Sequence, residues 1–184
     1  MSGRIRIIGG QWRGRKLAVP YAPGLRPTGD RARETLFNWL QAQVPGARCL
    51  DLFAGTGALG LEALSRGAAS SVFVERDRRL AGRLREIAGD WPGGDRMEVV
   101  QGDVLRWLGT DERSFDLVFI DPPFSDSLQG RVLEALVDGG HLASGARVYV
   151  EQDARDPEID PGERYELLRS KTLGEVRLTL LAVS

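Results

Sequence analysis

Residues 48–60 read Arg48-Cys49-Leu50-Asp51-Leu52-Phe53-Ala54-Gly55-Thr56-Gly57-Ala58-Leu59-Gly60. A short apolar strand ends at Asp51 or Leu52, a glycine-rich turn follows, and the pattern predicts an amphipathic helix from about Ala58 to Arg66. Downstream, the same alternation repeats. Strands are predicted at Ser71–Glu75, Met97–Gln101, Leu117–Ile120 and Arg147–Glu151, with helices near Arg78–Ala88, Val104–Leu108 and Gly130–Asp138. Strand-helix alternation of this kind argues an α/β fold with a doubly wound, mostly parallel sheet. The tail breaks the pattern. Arg164–Lys171 and Glu175–Val183 leave no room for a helix between them and are expected to form an antiparallel hairpin.

Upstream of the first repeat, Arg4–Ile8 and Lys16–Val19 look like short strands, and Pro20–Pro27 reads as a linker. A helix is expected from about Asp30 to Gln43, capped by Thr28 or Asp30, with Leu36, Phe37, Leu40 and Val44 on one face. The chain thus divides into a basic N-terminal extension, 1–27, and a main domain, 28–184.

The glycine loop invites two ligands. Gly55 and Gly57 let backbone approach a ligand closely. Gly55-x-Gly57-x-x-Gly60, with Glu75 ending the next strand, fits the dinucleotide fingerprint. In that fingerprint a pyrophosphate sits on bare amides at the helix N-terminus. Asp51 stands just before the loop, where its charge repels pyrophosphate and suits a cation. S-adenosylmethionine carries an ammonium and a sulfonium but no phosphate, so the acid favours it over a nicotinamide dinucleotide.

Residues 117–124 read Leu-Val-Phe-Ile-Asp-Pro-Pro-Phe. The apolar run suits a strand buried on both faces, and the proline pair must end it. Asp121 precedes a proline and is pushed toward extended geometry. A carboxylate, a rigid carbonyl and an aromatic ring within one turn match a planar base with an exocyclic amine. Asp121 and the Pro122 carbonyl accept from the NH₂ group, and Phe124 stacks on the ring, a contact worth roughly 1–3 kcal/mol. The plainer reading is a strand-ending turn with a surface phenylalanine.

The net charge of −1 conceals an asymmetry. Residues 1–40 hold Arg4, Arg6, Arg13, Arg15, Lys16, Arg26, Arg31 and Arg33 against Asp30 and Glu34, a local +6 that leaves −7 on the remainder. A basic arm on an acidic domain is the footprint of phosphate-backbone binding. Trp12 and Gly9-Gly10 interleave the charges, as suits a flexible loop contacting RNA.

These blocks together resemble the class I S-adenosylmethionine-dependent methyltransferases, and among them the bacterial family that methylates the N2 amine of a guanine in small-subunit (16S) ribosomal RNA. The N-terminal blocks Arg6–Leu17, Leu25–Thr28 and Arg33–Leu40, with Asp30-Arg31, point to that family; the Asp51–Gly60 loop and the 121–124 tetrad point to the superfamily. The resemblance implies a Rossmann-like, seven-stranded sheet closed by the C-terminal hairpin. It implies S-adenosylmethionine held by Asp51, Phe53, Ala54, Gly55 and Gly57 at the methionine part, by Glu75 at the ribose, and by Asp103 and Val104 at the adenine. It makes Asp121, Pro122 and Phe124 the catalytic set. It implies 16S rRNA, within a small-subunit ribonucleoprotein, as partner to Arg4, Arg6, Trp12, Arg13, Arg15, Lys16, Arg26 and Arg31. Asp103 also reads as a plain helix N-cap.

Other classes fit less well. A single cysteine, Cys49, and a single histidine, His141, leave no usual zinc site, and no nucleophile elbow accompanies the histidine. Cys49 reads as a core residue and His141 as a loop residue without chemical role. No apolar run approaches the ~20 residues that span a bilayer. A cytoplasmic monomer without metal is expected. A DNA adenine-N6 or cytosine-N4 methyltransferase shares the tetrad but needs a target-recognition domain. A nicotinamide oxidoreductase is disfavoured by Asp51. A non-catalytic assembly protein has no use for the tetrad.

Overall fold

The structure, a computed structural model, describes residues 3–20, 29–123 and 127–184. Arg26, Thr28, most of the expected linker and Phe124 lie outside the described residues. The chain opens with β1 (Arg4–Arg6) and β2 (Lys16–Ala18), an antiparallel pair, followed by α1 (Asp30–Trp39). Then come β3 (Arg48–Leu52), α2 (Ala58–Ser65), β4 (Ser70–Glu75), α3 (Arg78–Asp90), β5 (Met97–Gln101), α4 (Val104–Leu108), β6 (Phe115–Ile120) and α5 (Gln129–Asp138). The chain closes with β7 (Leu142–Asp153), β8 (Tyr165–Leu173) and β9 (Val176–Val183). Among the described residues the main sheet has seven strands in the order β5-β4-β3-β6-β7-β9-β8. The first five run parallel, while β9 is antiparallel to both β7 and β8. The expected Rossmann-like sheet closed by an antiparallel hairpin is the sheet found.

Strand order reverses between β3 and β6, where α/β sheets place their ligand crevice. Asp51 lies within β3, and Asp121 directly follows β6. Apolar side chains cover both faces of the central strands. One core joins Cys49, Phe73, Phe119 and Tyr149 to α1 and α2; the other joins Leu50, Val74, Val118 and Val148 to α4 and α5.

Three expectations need correction. Helix α1 stops at Trp39 rather than Gln43: Leu40 leaves helical geometry at φ −95°, ψ 6°, and the chain continues through turns toward Pro45. Its N-cap is Gly29 with no side-chain cap, and Asp30 is instead the first helical residue, paired to Arg33 at 2.5 Å. Helix α2 is not amphipathic: all eight residues are buried, Glu62 and Ser65 included. His141 lies in the loop before β7, as expected, but it is packed into the protein. It has no exposed surface, and its ring nitrogens lie 2.9 Å from the carbonyls of Arg113 and Leu108.

The outer face of α2 is covered by the N-terminal hairpin, and polar groups set that contact. Glu62 accepts from the amides of Ile8 and Gly9, each at 3.0 Å, and pairs with Arg66 at 2.9 Å and Arg33 at 3.5 Å. Ser65 takes the Trp12 amide on its hydroxyl and donates that hydroxyl to the Gly9 carbonyl. Gly10, at φ +79°, passes so close that a Cβ would lie 1.8 Å from the Ser65 carbonyl oxygen. Ile5, Ile7, Trp12 and Leu17 then join the same core as α1 and α2.

Arg33 has no exposed surface, and donates to the Arg6 carbonyl as well as to Glu62. Removing one partner of a buried ion pair strands the other charge in low dielectric, at a cost of about 3–5 kcal/mol. Glu62→Ala is therefore expected to lower stability by about that amount in urea unfolding. A loss below about 1 kcal/mol, the range of an exposed pair, would contradict it.

Candidate active site

Each of the parallel strands β3, β4 and β6 delivers a carboxylate to its carboxyl end. Asp51 lies level with Phe73 of β4 and Phe119 of β6. Two residues further along the same face stand Glu75 at the end of β4 and Asp121 just past β6, since side chains alternate with period two, while Phe53 leaves the strand and packs with the core on the opposite face. The apolar strands force these acids into proximity, because the register that buries Phe73 and Phe119 fixes where the acids fall.

The glycine loop folds over this row. Phe53, at φ +59°, turns the chain out of β3 in the left-handed region, a conformation costing roughly 1–3 kcal/mol for such a residue. The Ala54 amide reaches back to the Val74 carbonyl at 3.0 Å. The Gly55 amide donates to Glu75 at 2.6 Å, and the Gly60 amide donates to Asp51 at 3.0 Å. The second oxygen of Glu75 accepts from the Asp77 amide at 2.9 Å. Gly57 faces protein rather than ligand: a Cβ there would lie 2.5 Å from Leu84 and 3.3 Å from Phe73. Its absent side chain packs α2 against α3 and β4. Gly60 does the same against Phe73, where a Cβ would lie 2.5 Å from the ring.

The donor set tests the two ligands. Two of the loop's amides, which a pyrophosphate requires, are already taken by carboxylates of 2% and 8% exposure. A phosphate brought here would meet two buried acids in low dielectric. A ligand with a cationic head and ribose hydroxyls finds what it needs. Burial, opposed by the Gly60 amide and reinforced by the nearby Glu75 charge, pushes Asp51 up to about 8.

Asp103 caps α4, accepting from the Arg106 amide at 2.9 Å, and Val104 is buried beside it. Asp77 is the N-cap of α3, accepting from the Arg79 and Leu80 amides. Pro122 is buried and Asp121 half-buried at the end of β6. Cys49 is fully buried, and burial pushes its thiol far up, so it is inert core as expected.

The N-terminal residues divide. Arg4, Arg6, Arg13, Arg15, Lys16 and Arg31 are exposed. Trp12 is not available to stack on a base. It is 1% exposed, its indole N–H donates to the Pro92 carbonyl at 2.9 Å, and its ring meets Trp91 edge-on at 5.1 Å. Gly9 and Gly10 serve close packing on α2 rather than flexibility. Lys16 lines a pocket with Arg83, Gly55 and Thr56, so the hairpin borders the glycine loop. The sequence reading passed over the exposed arginines 78, 79, 83 and 85 of α3, whose spacing was visible in the chain.

Comparison with known proteins agrees with this geometry. The family model described as Conserved hypothetical protein 95 matches residues 5–182. Ribosomal RNA small subunit methyltransferase D of Escherichia coli (strain K12) is 46% identical over 179 residues, covering 97% of this chain and 90% of that protein. The protein of the same name from Haemophilus influenzae is 42% identical over 181 residues, covering 97% and 93%. A solved Escherichia coli structure, described as a methyltransferase, superposes with a TM-score of 0.88 at 44% identity, covering 99% of each chain.

The raised Asp51 sets a pH test. The folded chain keeps the Asp51 proton up to about pH 8, whereas an unfolded aspartate releases it near pH 4. Stability linked to this group is therefore present below about pH 4 and is lost as pH rises through about 8. Thermal unfolding of the ligand-free protein is expected to show a smaller decline over that window in Asp51→Asn than in the parent. Parallel curves would contradict the buried, protonated state.

Proposed function

The chain belongs to the ribosomal RNA small subunit methyltransferase D family, and on that premise we propose that it methylates the exocyclic N2 amine of a guanine in 16S ribosomal RNA by direct in-line transfer. The observation that carries the reading is Asp121-Pro122 at the end of β6, in one row with Asp51 and Glu75 at the switch point of the sheet. S-adenosylmethionine supplies an electrophilic methyl group on a sulfonium. Asp51 and the loop of Phe53, Ala54 and Gly55 hold its methionine part, with Gly57 packing the loop's end against α3 and β4; Glu75 holds its ribose, Asp103 and Val104 its adenine.

The chain's own work is placement. The lone pair of a guanine N2 is delocalised into the ring, so the amine is a poor nucleophile. Asp121 and the Pro122 carbonyl accept its two N–H bonds, turn the nitrogen out of conjugation and aim the lone pair. Phe124 stacks on the base. Good orientation of this kind is worth roughly 7–11 kcal/mol. Asp121 need not remove a proton before attack, because the proton leaves to water afterwards. The target base must be unstacked or lie in a loop to reach the site.

The exposed cations Arg4, Arg6, Arg13, Arg15, Lys16 and Arg31, with Arg26, bind the RNA backbone. A small domain offers few base contacts, so a pre-folded small-subunit ribonucleoprotein supplies part of the specificity. The protein acts as a cytoplasmic monomer in this reading. Among the described residues no helix is long and apolar enough to cross a membrane.

Tritium transfer from labelled S-adenosylmethionine to small subunits lacking this modification is expected to yield N2-methylguanosine on digestion. Label in duplex DNA assayed alongside would move the assignment to DNA amine methylation. Asp121→Ala is expected to abolish transfer while leaving S-adenosylmethionine affinity nearly intact. A variant at parental rate would sink the mechanism. Arg13→Glu with Arg15→Glu is expected to spare cofactor binding, weaken RNA binding and flatten its salt dependence by about two phosphate contacts. An unchanged salt slope would remove the hairpin from the RNA site.

A further inference from the structure

Strand β7 adds a fourth acid to the row. The register of β6 on β7 pairs Phe119 with Tyr149 and Ile120 with Val150. Carried one residue further, it sets Glu151 beside Asp121, about 5 Å away across the ladder. Tyr149 and Glu151 share a face of β7, and the Tyr149 hydroxyl donates to Glu151 Oε2 at 2.9 Å. Burial, with the charges of Glu151 and Asp121, raises Tyr149 well above its usual range, so the hydroxyl remains a donor and fixes the carboxylate's orientation. The Gln129 side chain holds the Glu151 carbonyl at 3.4 Å, tying the strand end to α5. Glu151 is 3% exposed, comparable with Asp51 at 2% and Glu75 at 8%.

A carboxylate in this place matters for which amine is chosen. The Watson–Crick edge of guanine presents three N–H donors, two on N2 and one on N1. Adenine and cytosine present two on the amine and a bare ring nitrogen beside it. Asp121 and the Pro122 carbonyl account for two donors, and guanine requires a third acceptor. We propose that Glu151 is the specificity-determining residue, accepting the N1–H of the target guanine while Asp121 and the Pro122 carbonyl accept its N2 amine. The inference rests on the guanine-N2 reading of the site. Against adenine or cytosine the same carboxylate faces a ring-nitrogen lone pair, and two buried acceptors opposed without a proton are strongly disfavoured.

The test uses the full-length protein and reconstituted small-subunit RNA carrying either guanosine or 2-aminopurine riboside at the methylated position. 2-Aminopurine keeps the 2-amino group but has a bare N1. Two quantities are read: methyl transfer, and RNA affinity in the presence of S-adenosylhomocysteine, followed for the analogue by its fluorescence. The parent protein is expected to favour guanosine by roughly tenfold or more in both. Glu151→Gln, whose amide can donate to a bare N1, is expected to narrow that preference by a similar factor while S-adenosylhomocysteine affinity stays within about twofold. Equal treatment of the two RNAs by the parent protein overturns the role of Glu151 without any variant, so misfolding of the variant cannot shelter it. An unchanged ratio in a folded variant overturns it as well. If the guanosine control itself yields no N2-methylguanosine, the reading of the whole site falls, and Glu151's role with it.

Discussion

Glu62 is a full charge with no exposed surface, in a helix whose every residue is covered. Such a group is tolerated only when paired and hydrogen-bonded. Its partners come from the segments that precede β3, two amides of the hairpin and the buried guanidinium of Arg33, with Arg66 closing the ring from the C-cap of α2. This constraint fixes the position of the hairpin. The hairpin in turn carries the exposed cations to the border of the glycine loop, since Lys16 and Gly55 line one pocket. Helix α2 is thus shared, with its N-terminus shaping the loop through Gly60 and Asp51 and its outer face seating the hairpin.

A second constraint is electrostatic. Parallel pairing of β3, β4, β6 and β7 gathers Asp51, Glu75, Asp121 and Glu151 at one edge of the sheet. Like charges so close and so buried are costly to keep ionised together. The structure relieves the cost by giving backbone amides to Glu75 and Asp51, a tyrosine hydroxyl to Glu151, and a raised proton affinity to Asp51. A cationic ligand relieves it further. This gives a physical reason for an acid row to accept a sulfonium cofactor where a dinucleotide site would carry bare amides.

Much of this was legible in the chain. Strand-helix alternation and the hairpin tail sufficed for the sheet, because each apolar run was bounded by a turn signal. The family resemblance and the positions of Asp51, Glu75 and Asp121 at strand ends were equally readable, since strand termini follow directly from composition. What misled was the reading of Trp12, Gly9 and Gly10 as a flexible RNA-facing loop. Interleaved charge and glycine look the same whether glycine serves flexibility or a close approach, and only the Ser65 carbonyl beneath Gly10 decides. Arg33 was counted in the charge of the basic arm, although its buried guanidinium is spent on the buried Glu62 and on Asp30 at the surface. The lone Glu62 within Leu59–Ser65 was a signal, because an acid in an otherwise apolar helix demands a partner. Glu151 carried only the weak signal of ending a predicted strand, Arg147–Glu151. Its meaning depends on the β6–β7 register, a long-range pairing that neither segment's sequence specifies.

The most direct test of the acid row as the reaction centre is a crystal structure of the protein with S-adenosylhomocysteine. The account predicts the ribose hydroxyls on Glu75, the amino acid part within the Phe53–Gly57 loop near Asp51, and the sulfur on the side of Asp121 and Pro122. A ligand seated instead in the groove between β2 and α3, with its sulfur remote from Asp121, would contradict it.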